Sequence, residues 1–462
     1  MSVLQASTVS PARSCAFAVV RRVFEQGAYA DRAFTARAQG LPTRERSLAM
    51  ALAYGTVQRR ATLDHIVAQM IRRPLAGLDP PVLAALRLGC FELLFLGGSV
   101  AHAAVNESVE LVKLARGGGA GLVNAVLRRI SREGRAILDG MSDGTPAAAA
   151  IKHSVPQWLA EQWWEEIGAA PARALLAQIN HPAESALRVN TLTSSLAEVL
   201  AQLPVDAHPA PGLPDAVVVE EPFDAHGSEL WSAGRIMPQS RASMLVARIL
   251  DPQAGERVLD LCAAPGAKTT QLAALMHGEG EVVAVERHRA RADGLARTCE
   301  RMRAGCVHVE ARDATAPRPP DEPRFARVLV DPPCSGLGTL QSRPDIRWRA
   351  TPEKIVEMAA LQGEILGAGA MATARGGILV YSVCTIARAE GEEVIEAFLR
   401  AHPDFRAQEV RSPLPVRASP GPGPDHWMGT PVGGERPRSP YVQLLPHLHA
   451  TDGFFIARLR RA

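Results

Sequence analysis

Residues Val258–Ala273 read VLDLCAAPGAKTTQLA, and this stretch decides the fold. An apolar run, Arg257–Leu261, has the length of a buried strand. Pro265 and Gly266 then turn the chain, and Lys268–Met276 returns to helical spacing. Strand, turn and helix in that order open a doubly wound sheet, whose ligand sits at the carboxyl end of the first strand. The turn holds one glycine, so it is not the GxGxxG of dinucleotide sites. The GK[ST] of a phosphate loop, with its upstream glycine, is missing too. A diphosphate ligand is therefore not implied.

Outward from that turn, strands and helices alternate. Gly280–Val285 reads as a strand, Ala290–Met302 as a helix, and Cys306–Val309 and Arg327–Val330 as strands. Pro352–Ala374 is a long helix, Gly377–Ser382 a strand and Glu390–His402 a helix, with Tyr441–Leu445 and Phe454–Leu459 as a closing strand pair. This alternation predicts an α/β, Rossmann-like fold with a mostly parallel sheet covered on both faces. Glu286 ends the second strand twenty residues after Gly266, where a carboxylate accepts hydrogen bonds from both ribose hydroxyls. Asp313 follows the third strand, where a carboxylate meets the adenine amino group. Either residue alone is as readily a cap or a surface charge. Together at successive strand ends they suit an adenosine without phosphates, namely S-adenosylmethionine.

Two further blocks carry chemistry. In VLVDPPCSGLGTL, Val328–Leu340, Asp331 and Cys334 follow the fourth strand. Pro332 and Pro333 stiffen the chain and withhold two N–H donors, which is expected to leave carbonyls facing the cleft. An aromatic residue at position 334 would point to methylation of an exocyclic amine; cysteine there points elsewhere. In ILVYSVCTI, Ile378–Ile386, Cys384 lies just past the fifth strand. Strands four and five of such a sheet are neighbours, so Cys334 and Cys384 are expected to face one cleft. Cys15, Cys90, Cys299 and Cys306 read as inert small hydrophobes, and Cys262 as a shaper of the turn. Carbon-5 of cytosine is a poor nucleophile. A thiolate added at carbon-6 makes the ring an enamine whose carbon-5 can take a methyl group. A second group must then remove the carbon-5 proton, and an acid such as Asp331 must serve ring nitrogen-3. The target base has to leave any stack to be reached.

The rest of the chain places these blocks. The protein has 462 residues, 47% hydrophobic and 21% charged, with 51 Lys+Arg against 48 Asp+Glu. Such a chain is too apolar to be disordered and too long for one ordinary core. Residues 1–143 read as all-helical and hold 18 Lys+Arg against 11 Asp+Glu, so the basic charge sits at this end. Asn106 is expected to cap a helix running to Leu114. Leu138–Ala150 reads as a linker, residues 151–235 as a small α+β, RRM-like domain, and residues 236–462 as the catalytic domain. Ser412–Pro440, rich in Pro, Gly and Ser, reads as a long mobile loop. Seven cysteines, an odd count, suggest free thiols in a reducing compartment. No CxxC occurs and the 13 histidines are scattered, so no metal is expected. No leader is recognisable, and the apolar window Pro81–Leu96 is interrupted by Arg87 and Glu92. The expectation is a cytoplasmic protein off the membrane.

The runs LDLCAAPGAKT, DPPCSGLGTL with RPDIRW, and YSVCTI with EGEEVI resemble the RNA cytosine-5 methyltransferases of the NOL1/NOP2/Sun group. ARSCAFAVVRRVFEQGAYAD, LRLGCFELLFL, HAAVNESVELVK and GLVNAVLRR resemble the NusB-type helical RNA-binding domain. The pairing is similar to the bacterial Sun/Fmu (RsmB-like) proteins, which methylate a cytosine of small-subunit ribosomal RNA. The resemblance implies that Cys262, Ala263, Ala264, Pro265, Gly266, Ala267 and Lys268, with Glu286, Arg291, Asp313 and Asp331, bind S-adenosylmethionine. It implies Cys384 as the nucleophile and Cys334 in release of the methylated RNA, with Lys268 and Asp331 facing the target base. DPPC stands where many relatives have DAPC, AAPGAK where many have AAPGGK, and ARDAT departs from the common GDA at Asp313. The implied partner is RNA, ribosomal RNA first, and the chain is expected to be a monomer. Transfer RNA as substrate, or an RNA-binding antitermination factor with an inert methyltransferase domain, remain as alternatives.

Overall fold

The computed structural model describes residues 9–97, 100–116, 118–410, 412–415 and 440–462. Apart from its ends, the expected loop between Ser412 and Pro440 lies outside the described residues. The chain divides into two compact units, one of Met1–Asn180 with Leu340–Arg349, the other of His181–Thr339 with Ala350–Ala462.

The first unit is helical. Helix Pro80–Phe95 is its spine and is buried almost continuously from Val82 to Glu92. Its two charges are neutralised in place: Arg87 donates to Asp64 at 2.7 and 2.8 Å, and Glu92 accepts from Arg13. Gly55 is required here, because a Cβ would stand 1.9 Å from the Phe91 ring. Two expectations change. Helix Ala101–Leu114 begins five residues before Asn106, so Asn106 sits inside the helix and its amide meets His102 one turn back. The linker is shorter than read: the preceding helix runs to Asp139, and the alanine run is a helix, Pro146–His153. Pro146 fits the first helical turn, and the Thr145 hydroxyl caps it by accepting from Ala148 N at 3.3 Å.

Helices Pro146–His153, Gln157–Ile167 and Ala169–Gln178 pack with this unit rather than with the sheet that follows them in sequence. Thr62 Oγ1 donates to Ile151 O at 2.7 Å, and Gln58 Nε2 donates to Ile179 O at 3.0 Å. Leu340–Arg349, which follows the Cys334 block in sequence, joins them. Its Arg347 is fully buried. The guanidinium donates to Ser154 O, Ile179 O, Gln58 O, Leu340 O and Asn180 Oδ1 at 3.0–3.3 Å.

In the second unit the described strands form two sheets. The smaller holds β1 (Ala186–Val189), β2 (Ala207–Pro209), β3 (Ala216–Val219) and β4 (Ile236–Pro238) in the antiparallel order β2-β3-β1-β4. Helix Leu196–Gln202 follows β1 and helix Glu229–Ser232 precedes β4, a βαββαβ arrangement. β2 and β4 were not read in the sequence; each is three residues long and contains a proline, which confines it to an edge.

The larger sheet holds β5 (Arg257–Asp260), β6 (Glu281–Glu286), β7 (Val307–Ala311), β8 (Phe325–Val330), β9 (Thr373–Val383), β10 (Phe405–Gln408), β11 (Tyr441–Leu444) and β12 (Phe454–Arg461). The order is β10-β12-β9-β8-β5-β6-β7, with β11 beside β12. β5 to β9 run parallel, and β12 lies antiparallel against β9. This is the expected Rossmann-like sheet, preceded by a helical region. Helix Pro352–Ala372 is long and apolar enough to cross a membrane. It covers the sheet instead, seating Ile365 and Leu366 in one core with Val328, Val330 and Leu379.

Arg347→Met should remove about 3 kcal/mol of stability from the helical unit, because its carbonyl partners would stay buried without a donor. Urea unfolding of the full chain measures this; an unchanged transition would show that the carbonyls find other donors.

Candidate active site

β5 ends at Asp260, and the turn Cys262–Lys268 hangs between its two neighbours. Leu261 N donates to Leu329 O on β8 at 3.0 Å, and Ala263 N donates to Val285 O on β6 at 2.9 Å. Gly266 stands at φ +108°, where a Cβ would lie 2.8 Å from Leu295 Cδ1, so only glycine fits before the helix Ala267–Leu275. Asp260 is buried under the turn: Oδ2 accepts from Thr269 Oγ1 at 2.8 Å, while Oδ1 has no hydrogen-bond partner. Burial pushes this carboxyl up to about 7.

Glu286, at the tip of β6, is buried and accepts from His288 N at 2.9 Å. Arg291 reaches back to it at 3.2 Å and donates to Ala264 O at 3.1 Å, tying β6 to the turn. Asp313 lies after β7; its Oδ1 accepts from Thr315 N and Oγ1 at 3.0 and 2.8 Å. A cavity of about 270 Å³ opens beside it, lined by Leu261, Val285, Ala314 and Met371 on its apolar part and by Arg312, Arg318, Arg324 and Arg461 on its charged part. An orphaned buried carboxylate oxygen, a strand-end glutamate and a cavity with an apolar side at Leu261 and Val285 fit the amino acid, ribose and base of S-adenosylmethionine. Cys262 is largely buried, and its thiol is pushed up, so it shapes the turn rather than reacting.

β8 and β9 bring the remaining predicted residues together. Val330 pairs with Tyr381 in parallel register, so the segments that follow emerge side by side. Asp331 Oδ2 accepts from Lys268 Nζ at 2.8 Å, and its Oδ1 accepts from Ser382 Oγ at 2.7 Å. Burial pulls the Lys268 ammonium down, but Asp331 outweighs it and the net shift is upward, so the lysine stays charged. The Phe454 ring lies 5.2 Å from the same nitrogen. Cys334 Sγ and Cys384 Sγ are 3.3 Å apart. The pair is asymmetric. The hydrogen bond from Cys334 lowers Cys384 below the ordinary thiol value, against burial and Asp331 and with help from Lys268. Cys334 is raised by the same bond, by burial, and by the charges of Cys384 and Glu390. The first thiolate therefore forms at Cys384, and Cys334 keeps its proton.

One expectation fails in detail. Pro333 O does not face the cleft: it accepts from Gln362 Nε2 at 2.9 Å, on the helix that covers the sheet. Sequence reading also passed over Asp260, Ser382, Gln362 and Glu390. Two of them carried a signal. Asp260 is a charge inside an apolar strand, and Ser382 lies two residues before Cys384, on the same side of an alternating strand. Gln362 and Glu390 carried none, since each is polar within a helical stretch.

Residues 247–460 match the family model described as 16S rRNA methyltransferase RsmB/F, residues 10–132 the NusB family, and residues 155–226 the RsmF/B-like ferredoxin-like domain. The chain is similar to a probable ribosomal RNA small subunit methyltransferase B of Synechocystis, 36% identical over 98% of this chain and 99% of that one. It is 38% identical to ribosomal RNA small subunit methyltransferase B of Thermus thermophilus, over 91% of this chain and 90% of that one. Among solved structures it superposes on PH0851 with a TM-score of 0.78 at 26% identity, covering 98% and 99% of the two chains. A methyltransferase homolog protein from Pyrococcus horikoshii aligns with a TM-score of 0.57 at 26% identity, covering 69% of this chain and 99% of that one.

Because Cys384 ionises first and from a lowered value, its alkylation should rise with pH through a midpoint below 9. Cys334→Ala removes the donor, so the midpoint should move up and the rate at neutral pH fall about tenfold. Iodoacetamide labelling of Cys384, followed by peptide mass across pH, reads both. A midpoint that does not move would show that the thiol pair does not set it.

Proposed function

Because the chain belongs to the RsmB/F family of ribosomal RNA methyltransferases, we propose that it methylates carbon-5 of a cytosine in 16S ribosomal RNA through a covalent adduct with Cys384. The observation that carries this reading is the contact of Cys334 and Cys384 at 3.3 Å, beside a Lys268–Asp331 ion pair and the cofactor turn. A thiol pair with one member primed to ionise suits addition to a pyrimidine, which needs a nucleophile first and a base afterwards.

S-adenosylmethionine, when bound, supplies an electrophilic methyl group; the turn Cys262–Lys268 with Glu286, Arg291 and Asp313 would hold it. The Cys384 thiolate adds to carbon-6 of the extruded base. Ring electrons move toward carbon-5 while nitrogen-3 takes a proton. Asp331 accepts hydrogen bonds from both Lys268 and Ser382, so it orients the lysine rather than giving up a proton itself. Lys268 uses one N–H on Asp331 and keeps two for the base. Once carbon-5 carries the methyl group, Cys334 gives its own proton to solvent and, as the thiolate, takes the carbon-5 proton. The carbon-6–sulfur bond then breaks, its electrons return to Cys384, and nitrogen-3 gives its proton back.

The helical region supplies RNA affinity in this reading. Helix Ala120–Asp139 exposes Arg128, Arg129, Arg132 and Arg135 along one stretch. Arg side chains so placed suit phosphates, whose neutralisation makes binding salt-dependent. The names of the relatives favour ribosomal over transfer RNA. We also read the protein as a cytoplasmic monomer, and no step above calls for a metal.

Cys384→Ala should abolish methyl transfer from labelled cofactor to 16S ribosomal RNA; retained turnover would sink the nucleophile assignment. Cys334→Ala should trap an RNA adduct that survives a denaturing gel, and free RNA alone would remove Cys334 from the release step. Arg128→Ala with Arg132→Ala should weaken binding and reduce the slope of log affinity against log salt by about 2. An unchanged slope in filter binding would place the phosphate contacts elsewhere.

A further inference from the structure

Glu390 is fully buried in the turn Arg388–Glu390 after β9, yet it has no ion-pair partner among the described residues. Its Oε1 accepts from Ser335 N at 2.7 Å and from Gln362 Nε2 at 3.0 Å. Ser335 is the residue after Cys334. The Ser335 and Thr385 hydroxyls bond each other at 2.8 Å, and Thr385 is the residue after Cys384. Tyr381 OH holds the turn from below, donating to Glu390 O at 2.5 Å and to Gln362 Oε1 at 3.1 Å. One carboxylate thus sits behind the residues that follow both thiols. A buried charge without a counter-ion is costly, and the network does not need one for its hydrogen bonds, since an amide oxygen would accept as well.

We propose that Glu390 is a positioning residue of the thiol pair: its carboxylate clasps the Cys334 turn through Ser335 and faces Cys334 as an uncompensated negative charge, so that the shared proton rests on Cys334 and that sulfur becomes the stronger base. This deepens the cytosine-5 reading above and rests on it for the release step. Cys384 is symmetrical to Cys334 in chemistry and nearly so in burial; the charged neighbours differ. Around Cys334 stand Cys384, Glu390 and Tyr381; around Cys384 stand Cys334, Lys268, Asp331 and Asp452. Glu390 raises Cys334, whereas Lys268 lowers Cys384. Burial pushes Glu390 itself up, against the Ser335 and Gln362 donors. Its Oε2 has no hydrogen-bond partner, so a proton placed there would have nothing to bond.

The test uses the full chain and needs no RNA in its first part. In Cys384→Ala, which removes the hydrogen bond and charge of the partner thiol, burial and Glu390 remain to raise Cys334, and iodoacetamide labelling across pH reads its midpoint. Adding Glu390→Gln, which keeps the acceptor and removes the charge, should lower that midpoint by about one unit, a tenfold rise in thiolate at neutral pH. Glu390→Asp, which keeps the charge, should retain the high midpoint, and it decides the matter alone if the glutamine variant melts below the assay temperature. In the second part, with both thiols present, Glu390→Gln should leave KM for the cofactor unchanged and move the rising limb of the pH profile for adduct resolution down by about one unit. Equal midpoints with and without Glu390→Gln, or a midpoint lost equally in Glu390→Asp, would overturn the proposal. A wild-type chain that transfers no methyl group would instead overturn the cytosine-5 reading, and the labelling result would still decide the role of Glu390.

Discussion

Parallel pairing of β8 with β9 is the constraint on which the catalytic half depends. The register that sets Val330 against Tyr381 brings two segments out of the sheet together. Asp331 and Ser382 meet across it at 2.7 Å, and the two thiols meet beyond it at 3.3 Å. Gly338 N then donates to Cys384 O at 3.0 Å, and Gly453 N donates to Gly338 O at 2.8 Å. A Cβ on Gly338 would stand 1.9 Å from the Gly453 carbonyl oxygen, so the close approach of three loops depends on glycine. Strand pairing is cooperative and two-sided here, since β9 is held by β8 on one edge and β12 on the other. The two thiols therefore follow strands that are each paired on both edges.

Charge in this region is arranged by what lies beside each group. Lys268 and Asp331 neutralise one another, and each keeps unused hydrogen-bonding capacity. Asp260 has a hydroxyl partner and no cation, and it is pushed toward its neutral form. Glu390 has backbone and side-chain donors and no cation. A half-buried carboxylate, Asp331, and two buried ones, Asp260 and Glu390, thus meet three different surroundings within one fold. In the helical unit Arg347 shows the converse: a buried cation held by carbonyl oxygens, which fixes Leu340–Arg349 among helices that precede it by well over a hundred residues.

Much of this was legible in order along the chain. Long elements with strong periodicity, such as Pro352–Ala372 and Glu281–Glu286, were readable because burial on one or both faces dictates their pattern. β2, β4 and β10 were not: they are short edge strands whose pairing comes from a neighbour, and their own residues carry little pattern. Asn106 looked like a cap because Asn is a good one, but the helix had already started at Ala101. The alanine run after Thr145 looked like a linker until Pro146 was seen to start a helix.

The sequence by itself determined the order of the longer strands and helices, the turn chemistry of Cys262–Lys268, and the identities of two thiols and one aspartate past strand ends and of one lysine at a helix start. Those follow from local rules: periodicity, proline and glycine geometry, and side-chain reactivity. Only the tertiary structure decided which thiol ionises first, which way the Pro333 carbonyl turns, and that Asp331 accepts from Lys268 and Ser382. Each of these depends on groups distant in sequence, Glu390 and Gln362 among them, which one-dimensional spacing does not register. Electrostatic energy falls off with distance through space, so the acid–base roles exist only once the chain has folded.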